Sequence, residues 1–313
     1  MATNPQGAYV NQPLTDYAFG IFQDYEKILS DADFLAPRVI TGAAIGNYQI
    51  FDSQQAFITY DANRAIGGGR TRIKFSGSVG SFNCDPKSLE VGLDDAEVSR
   101  AAGKRENIER SKIRTLLNAF SLSRFNRVYT KATTSGNYTA ATTANAGKWT
   151  EANIDPVKQI DDGVAQIESL SGLVPNRLMM DLASWIKFRN HPEVRGRFPG
   201  APVVGISLAQ AAGLFAVPME IRIAKGTKAT AGFGSSTTTK ASIVSSTALL
   251  FYAQDQVTEY DPTALKTMTP NPESFQSVKQ YRDDTCASDM FYIDVEEDIV
   301  AASALLLVKY AIT

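Results

Sequence analysis

The chain has 313 residues, 44% of them hydrophobic, and a net charge of −2. That length supports one large or two medium domains with a real core, and the charge excludes a polycation made to grip nucleic acid as a whole. The first twenty residues, MATNPQGAYVNQPLTDYAFG, lack a basic region followed by an apolar run, and the longest uncharged apolar run, Ile299 to Val308, is too short to cross a bilayer. Cys84 and Cys286 stand far apart and make no disulfide framework, so a soluble protein made in a reducing cytoplasm, with no membrane partner, is expected.

In chain order, residues 1 to about 33 are polar, with Pro5, Pro13 and scattered aromatics, and only Phe22–Leu29 suggests a short helix. Residues 34–82 read as extended: FLAPRVITG, NYQIF and AFITYD look like short strands. From Arg70 to Phe75 the pattern alternates, with Thr71, Ile73 and Phe75 on one face and Arg70, Arg72 and Lys74 on the other. The glycines Gly67, Gly68 and Gly69 before it mark a tip or bend with positive φ. Together these describe a two-stranded arm with one apolar and one basic face. Such a hairpin is marginal alone in water and makes physical sense lying across another subunit.

Asp94-Asp95-Ala-Glu97 opens the longest helix, with Asp94 as its cap and Glu97 positioned for a capping box. Apolar residues from Val98 to Phe120 then recur at mainly three, four and five, a helix of about 25 residues or ~38 Å. Residues 132–147 and 226–242 are uncharged or weakly charged loops rich in Thr, Ser, Ala and Gly. Between them Asp155 and Pro156 start a helix with a Val157, Ile160, Val164, Ile167 and Leu170 stripe. Asp181 caps another over Leu182–Asn190, and Ser207 a third over Leu208–Phe215. The tail returns to strands over 274–282, 290–295 and 299–310. Separated helices with mostly hairpin-connected strands make an α+β fold.

Nothing in the chain is arranged for catalysis. The single histidine, His191, ends a helix just before Pro192 and reads as structural, because no serine or cysteine motif accompanies it. The Gly67–Arg70 run lacks the spacing of a phosphate loop and is followed by a strand. The acidic pairs at 94–95, 161–162 and 283–284 and the triplet at 296–298 lack metal-loop spacing, and the cysteines lack CxxC. No enzyme activity, cofactor or metal is expected. Between positions 100 and 131, Arg100, Lys104, Arg105, Arg110, Lys112, Arg114, Arg124, Arg127 and Lys131 face only Glu106 and Glu109. One reading is a solvated helix face paired with acidic neighbours; the sharper one is a surface that touches nucleic acid or a neighbour's carboxylates.

Read in order, the pieces resemble the Hong Kong 97-like (Johnson) fold of tailed-phage major capsid proteins. The front half is carried by Phe34-Leu-Ala-Pro-Arg38, Asn47-Tyr-Gln-Ile-Phe51, Arg70-Thr-Arg72 and Ser81-Phe-Asn-Cys84 with Leu89-Glu90. The second half is carried by Leu173-Val-Pro-Asn176, Trp185, Asn190-His-Pro192, Leu214-Phe-Ala-Val-Pro218 and Ala248–Tyr252. The resemblance implies an N-terminal arm at 1–33 and a peripheral domain at 34–43 and 83–135 with its spine helix at 94–122. It further implies an extended loop at 44–82, an axial domain at 136–262, return strands at 263–298 and a C-terminal strand at 299–313.

It also implies a structural role: pentamers and hexamers of the chain itself, forming an icosahedral shell around double-stranded DNA held by weak contacts. Gly67, Gly68, Gly69, Arg70, Arg72 and Lys74 would contact a neighbouring subunit. Arg100, Lys104, Arg105, Arg110, Lys112 and Arg114 would face DNA or a neighbour. The chain starts without the long charged scaffolding region of some members, so a separate scaffolding protein is expected, beside a portal and, where one exists, a decoration protein. With no acidic catalyst assignable beside Lys74, no covalent cross-link is expected. The location implied is the virion capsid, assembled in the host cytoplasm. The alternatives are an encapsulin-like compartment shell and, more remotely, an enzyme of an unfamiliar α+β family.

Overall fold

The computed structural model describes residues 9–10, 27–51, 59, 62–64, 66–68, 70, 78–100, 105–143, 145–198, 205–231, 239–271 and 277–313. The architecture is α+β, as the residues suggest. Helix α1 (27–35 in its described part) places Leu29, Ala32 and Leu35 inside, and Pro37, which can neither donate nor continue a helix, follows it.

Two sheets organise the body. The first has the order β1 (Tyr9–Val10), β13 (Lys279–Asp283), β14 (Ser288–Ala301), β12 (Leu265–Thr269) and β2 (Arg38–Ile40), with β5 (Asp85–Asp94) also paired to β14. Strand β14 is its axis. It pairs with β5 from Ser288↔Asp94 to Glu297↔Asp85, then with β12 from Asp298 to Ala301. The second sheet has the order β6 (Thr139–Ala140), β15 (Leu307–Ala311), β11 (Thr247–Phe251), β7 (Arg177–Met180) and β8 (Glu220–Ile223). Its central strands β7 and β11 are buried at every residue, which explains why RLMM and TALLF read as unbroken runs rather than alternation. Two hairpins stand apart, β3 (Ile45–Ile50) with β4 (Ser78–Asn83), and β9 (Thr227–Ala229) with β10 (Lys240–Ser242).

Helix α2 (Asp95–Arg100) is followed by α3 (Arg105–Thr133), 29 residues or about 44 Å long. The first half of α3 packs Ile113, Leu116, Leu117 and Phe120 against Phe291, Ile293 and Val295 of the first sheet. Its second half sends Phe125, Val128 and Ala132 into the larger core around the second sheet. One helix thus belongs to both cores and fixes the sheets relative to each other. Helix α4 (Pro156–Ser171) lies on the second sheet through Val157, Ile160, Val164 and Ile167. The Asp155 carboxylate accepts from Val157 N at 3.0 Å, Pro156 occupies the first turn, and Gly172 closes the helix at φ 68°. Helices α5 (Leu182–Asn190), α6 (Pro192–Gly196) and α7 (Leu208–Ala212) complete this half.

Several boundaries differ from the sequence reading. Phe34 and Leu35 end a helix rather than begin a strand, and an arm ending at 33 would cut that helix. The reason is that Leu29, Ala32, Phe34 and Leu35 all find apolar neighbours in the body. The spine helix continues eleven residues past 122, because Phe125, Val128 and Ala132 extend its buried stripe beyond the polar turn Ser121–Arg124. Helix α7 stops at Ala212, before Gly213, although Ser207 and Gln210 do form the reciprocal capping box. Asp181 precedes α5, but its carboxylate binds the Ser184 hydroxyl and Thr247 N instead of capping. The C-terminal run from 299 to 310 is two strands: β14 ends at Ala301, a short turn of 3₁₀ helix spans Ala304–Leu306, and β15 enters the other sheet. Continuous apolarity hides that break, because the chain is buried on both sides of the crossing.

Candidate assembly surfaces

Strands β3 and β4 pair as a hairpin on either side of the segment expected to form an extended loop. Its register pairs Gly46 with Phe82 and Tyr48 with Gly80, and paired residues share a face. Each aromatic ring lies over the opposite glycine: a Cβ on Gly46 would stand 2.6 Å from the Phe82 ring, and one on Gly80 would stand 2.5 Å from the Tyr48 ring. Small-against-large pairing keeps this inner face flat on the body, where Phe82 joins Val39, Cys84, Met268 and Val300 in a buried cluster. Cys84 is inert there; burial pushes its thiol up to about 11. The outer face is different. Ile45 and Val79 are 72% and 65% exposed at the two ends of that face, with Asn47 and Ser81 paired between them.

The root of the loop is pinned by a buried lysine. Phe51 N donates to Ala302 O at 3.2 Å, and Lys266 Nζ lies 5.7 Å from the Phe51 ring centroid. The same ammonium donates to Thr258 O at 3.0 Å and Glu259 O at 3.1 Å. Burial pushes Lys266 down from the usual 10.5 to about 8, with Asp261 and Glu259 pulling the other way. The folded chain therefore binds fewer protons than the unfolded one between about pH 8 and 10.5, and this group's contribution to stability rises with pH across that window. The stability of the wild type relative to Lys266→Met should accordingly increase by about 1 kcal/mol between pH 7.5 and 9.5, allowing for solvent screening. Urea titrations at the two pH values measure it, and a pH-independent difference would contradict it.

Between β3 and β4 in sequence, Gly67 has the positive φ expected of its triple glycine, +82°, and Gly68 and Arg70 are exposed. Ile66 is fully exposed. Gly69, Arg72 and Lys74 lie outside the described residues, as do the strand expected over 71–75 and most of AFITYD.

The basic stretch divides. Arg105 bonds Glu109 at 2.6 Å and also pairs with Asp289, and Lys112 reaches Glu97 at 2.7 Å and Gly92 O at 2.9 Å. Arg110 lies 3.8 Å from Glu106. Arg124 is wholly buried between Asp33 and Glu297, and Arg127 joins Glu297. Arg100, Arg105, Arg110 and Arg114 are exposed, and Lys104 lies outside the described residues. Much of the +7 excess in this stretch therefore meets carboxylates brought from α1 and β14. Those partners are remote in sequence, so local counting could not find them.

His191 is structural. It is 3% exposed, its Nδ1 accepts from Glu193 N at 3.3 Å, and its Nε2 lies 3.1 Å from Glu151 O. The exposed patch on α5 was not anticipated. Leu182 and Ile186, one turn apart, are 58% and 48% exposed, while Trp185 and Phe188 face the core. An apolar pair at i, i+4 flanking the core-facing pair was the available signal. The chain thus exposes apolar side chains on the hairpin and on α5, and Arg70 is exposed as well. Side chains so disposed suit contact between polypeptides. Among the described residues no group of histidine, cysteine or carboxylate side chains could hold a metal ion.

No family model and no curated protein matches the sequence. Solved structures do match. A phage-related protein from Bordetella bronchiseptica RB50 is 18% identical, with a TM-score of 0.71 over 97% of each chain. A virus-like particle from Pyrococcus furiosus, 8% identical, matches at 0.54 over 96% of this chain and 98% of its own. The capsid of cyanophage P-SCSP1u, 13% identical, matches at 0.53 over 90% and 87%. Likeness along nearly the whole of each chain shows a shared α+β fold.

Proposed function

We propose that this chain, which has the α+β capsid fold expected from its sequence, is a major capsid protein of the tailed-phage kind. Copies assemble into pentamers and hexamers of an icosahedral shell that encloses double-stranded DNA. The observation that carries this reading is the end-to-end structural likeness to a phage-related protein and to a cyanophage capsid. The chain's own surface supports it. The hairpin leaves Ile45 and Val79 in water, and α5 does the same with Leu182 and Ile186. Burying each in a neighbouring copy removes apolar area from water at four side chains per subunit. Many modest contacts then act together, because each subunit held by one interface meets the next at high effective concentration.

In this proposal the parts divide as the sequence suggests. The loop bearing Gly67–Gly69, Arg70, Arg72 and Lys74 overlaps an adjacent subunit, and the half around the second sheet forms the five- and six-fold rings. The exposed Arg100, Arg110 and Arg114 give weak, salt-sensitive contacts to DNA or to a neighbour. A scaffolding protein and a portal are further partners in the host cytoplasm. A second reading, an encapsulin-like compartment, draws support from the likeness to the Pyrococcus furiosus particle. The nucleic-acid content of purified particles separates the two.

Replacing Arg70 and Arg72 by Glu tests the loop. The double variant should melt as the wild type does, since Arg70 is exposed, yet fail to assemble. Normal shells from that variant would remove the loop from the interface.

A further inference from the structure

A cleft of about 300 Å³ opens where α1, β2, β7 and β8 converge. Its floor is Phe34, and three arginines from distant parts of the sequence gather on it. The guanidinium carbons of Arg177 and Arg222 lie 4.8 and 4.3 Å from the Phe34 ring centroid. Arg38 forms the third wall, bonded to Asp33 at 2.9 Å. We propose that this cleft binds an acidic polypeptide segment, taking at least two of its carboxylates on Arg177 and Arg222.

The Arg177 side chain is only 7% exposed, and one amino group donates to Phe34 O at 2.9 Å. Its carboxylate partner, Asp255, is 92% exposed. Arg222 donates to Ser30 Oγ at 2.7 Å in the cleft, and its side chain is 32% exposed against 53% for its partner Glu220. Each cation is thus more deeply set than the carboxylate it pairs with, while the buried Asp31 also lends negative charge to Arg222. A carboxylate standing in water gives up little when it leaves an ion pair, whereas a buried guanidinium needs an anion in place. Asp255 and Glu220 therefore mark two positions that incoming carboxylates can take over.

The chemistry favours carboxylate over phosphate. Asp33 is fixed in the wall between Arg38 and Arg124, and its negative charge stays. Burial alone would raise its carboxyl, but Arg124 and then Arg38 outweigh that and hold it below the usual range. It repels a multiply charged phosphate more than a singly charged carboxylate, and each planar guanidinium fork matches a carboxylate edge. This inference goes beyond the shell reading, because a chain that never assembled would still bind.

Fluorescence anisotropy of a labelled hexaglutamate peptide, titrated with the full chain at low salt, tests it. Asp255→Asn and Glu220→Gln remove the resident competitors and should each tighten binding about threefold. Arg222→Gln should weaken it about fivefold or more. Unlabelled hexaglutamate should displace the probe better than tripolyphosphate does. Should Arg222→Gln fold poorly, the two rim variants still decide, since both positions are exposed. Unchanged affinity in Asp255→Asn and Glu220→Gln, or displacement by tripolyphosphate as effective as by hexaglutamate, would overturn the proposal.

Discussion

Gly163→Ala should destabilise the folded chain by about 3 kcal/mol or more, although alanine is the better helix former. Gly163 is buried in α4, where the helix crosses β15. Tyr310 reaches into that crossing and donates its hydroxyl to Gln159 O at 3.0 Å. A Cβ on Gly163 would sit 1.8 Å from the Tyr310 hydroxyl oxygen and 3.1 Å from its ring carbon. Helix propensity favours alanine by roughly 1 kcal/mol, which is small beside an overlap of that depth in a close-packed core. Tyr310 cannot step aside, because it is fully buried and its strand is held by β11 and β6. Adding Tyr310→Phe should recover part of the loss, since the nearest atom is then removed and a 3.1 Å contact remains. Urea denaturation of the two single variants and the double variant measures this. Wild-type stability in Gly163→Ala, or no recovery in the double variant, would contradict the packing described.

Arg124→Met should cost about 3–5 kcal/mol, the usual result of removing one member of a buried ion pair. The guanidinium is completely buried at the middle of α3, between the apolar residues that belong to the two cores. It bonds Glu297 through Nε at 3.0 Å and approaches Asp33 at 2.8 Å. Burial would lower its affinity for a proton, but the two carboxylates outweigh that and keep it charged. Arg38 and Arg127 extend the chain of charges at either end. Removing Arg124 leaves Glu297, itself 2% exposed, with one partner in place of two. Because the groups act as a unit, Arg124→Met with Glu297→Gln should cost less than the two single changes added together. The pH response follows from Asp33, whose folded carboxyl is held below the usual 3.8. Its contribution is present above that value and is lost only as the pH falls through the lower folded one. Chemical denaturation of the single and double variants gives the coupling; additive losses would mean that the charges do not act together.

Local rules made part of this structure legible. Asp155 with Pro156, and Ser207, announce helices that do start there. The run at Asn47–Phe51 gives most of a strand, and Gly67 has the positive φ its position in a triple glycine suggests. Misreadings arose where tertiary contacts replace local signals. Arg124 interrupts the apolar stripe of α3 and so reads as the end of the helix, yet it is buried because Asp33 and Glu297 arrive from elsewhere. Strand β5 hides behind Pro86, Lys87, Ser88 and Glu90, since one β14 strand supplies its hydrogen bonds along its full length. The surfaces follow the same division. The positive φ of Gly67 could be read from its triple glycine. The arginine cleft could not, because Arg38, Arg177 and Arg222 meet only once both sheets have formed.

The central claim is self-assembly, and electron microscopy of the purified chain after gel filtration, repeated over rising concentration and with a crowding polymer, tests it most directly. The account predicts closed icosahedral shells, or rings of five and six subunits. A chain that remains a compact monomer under every one of those conditions would contradict it.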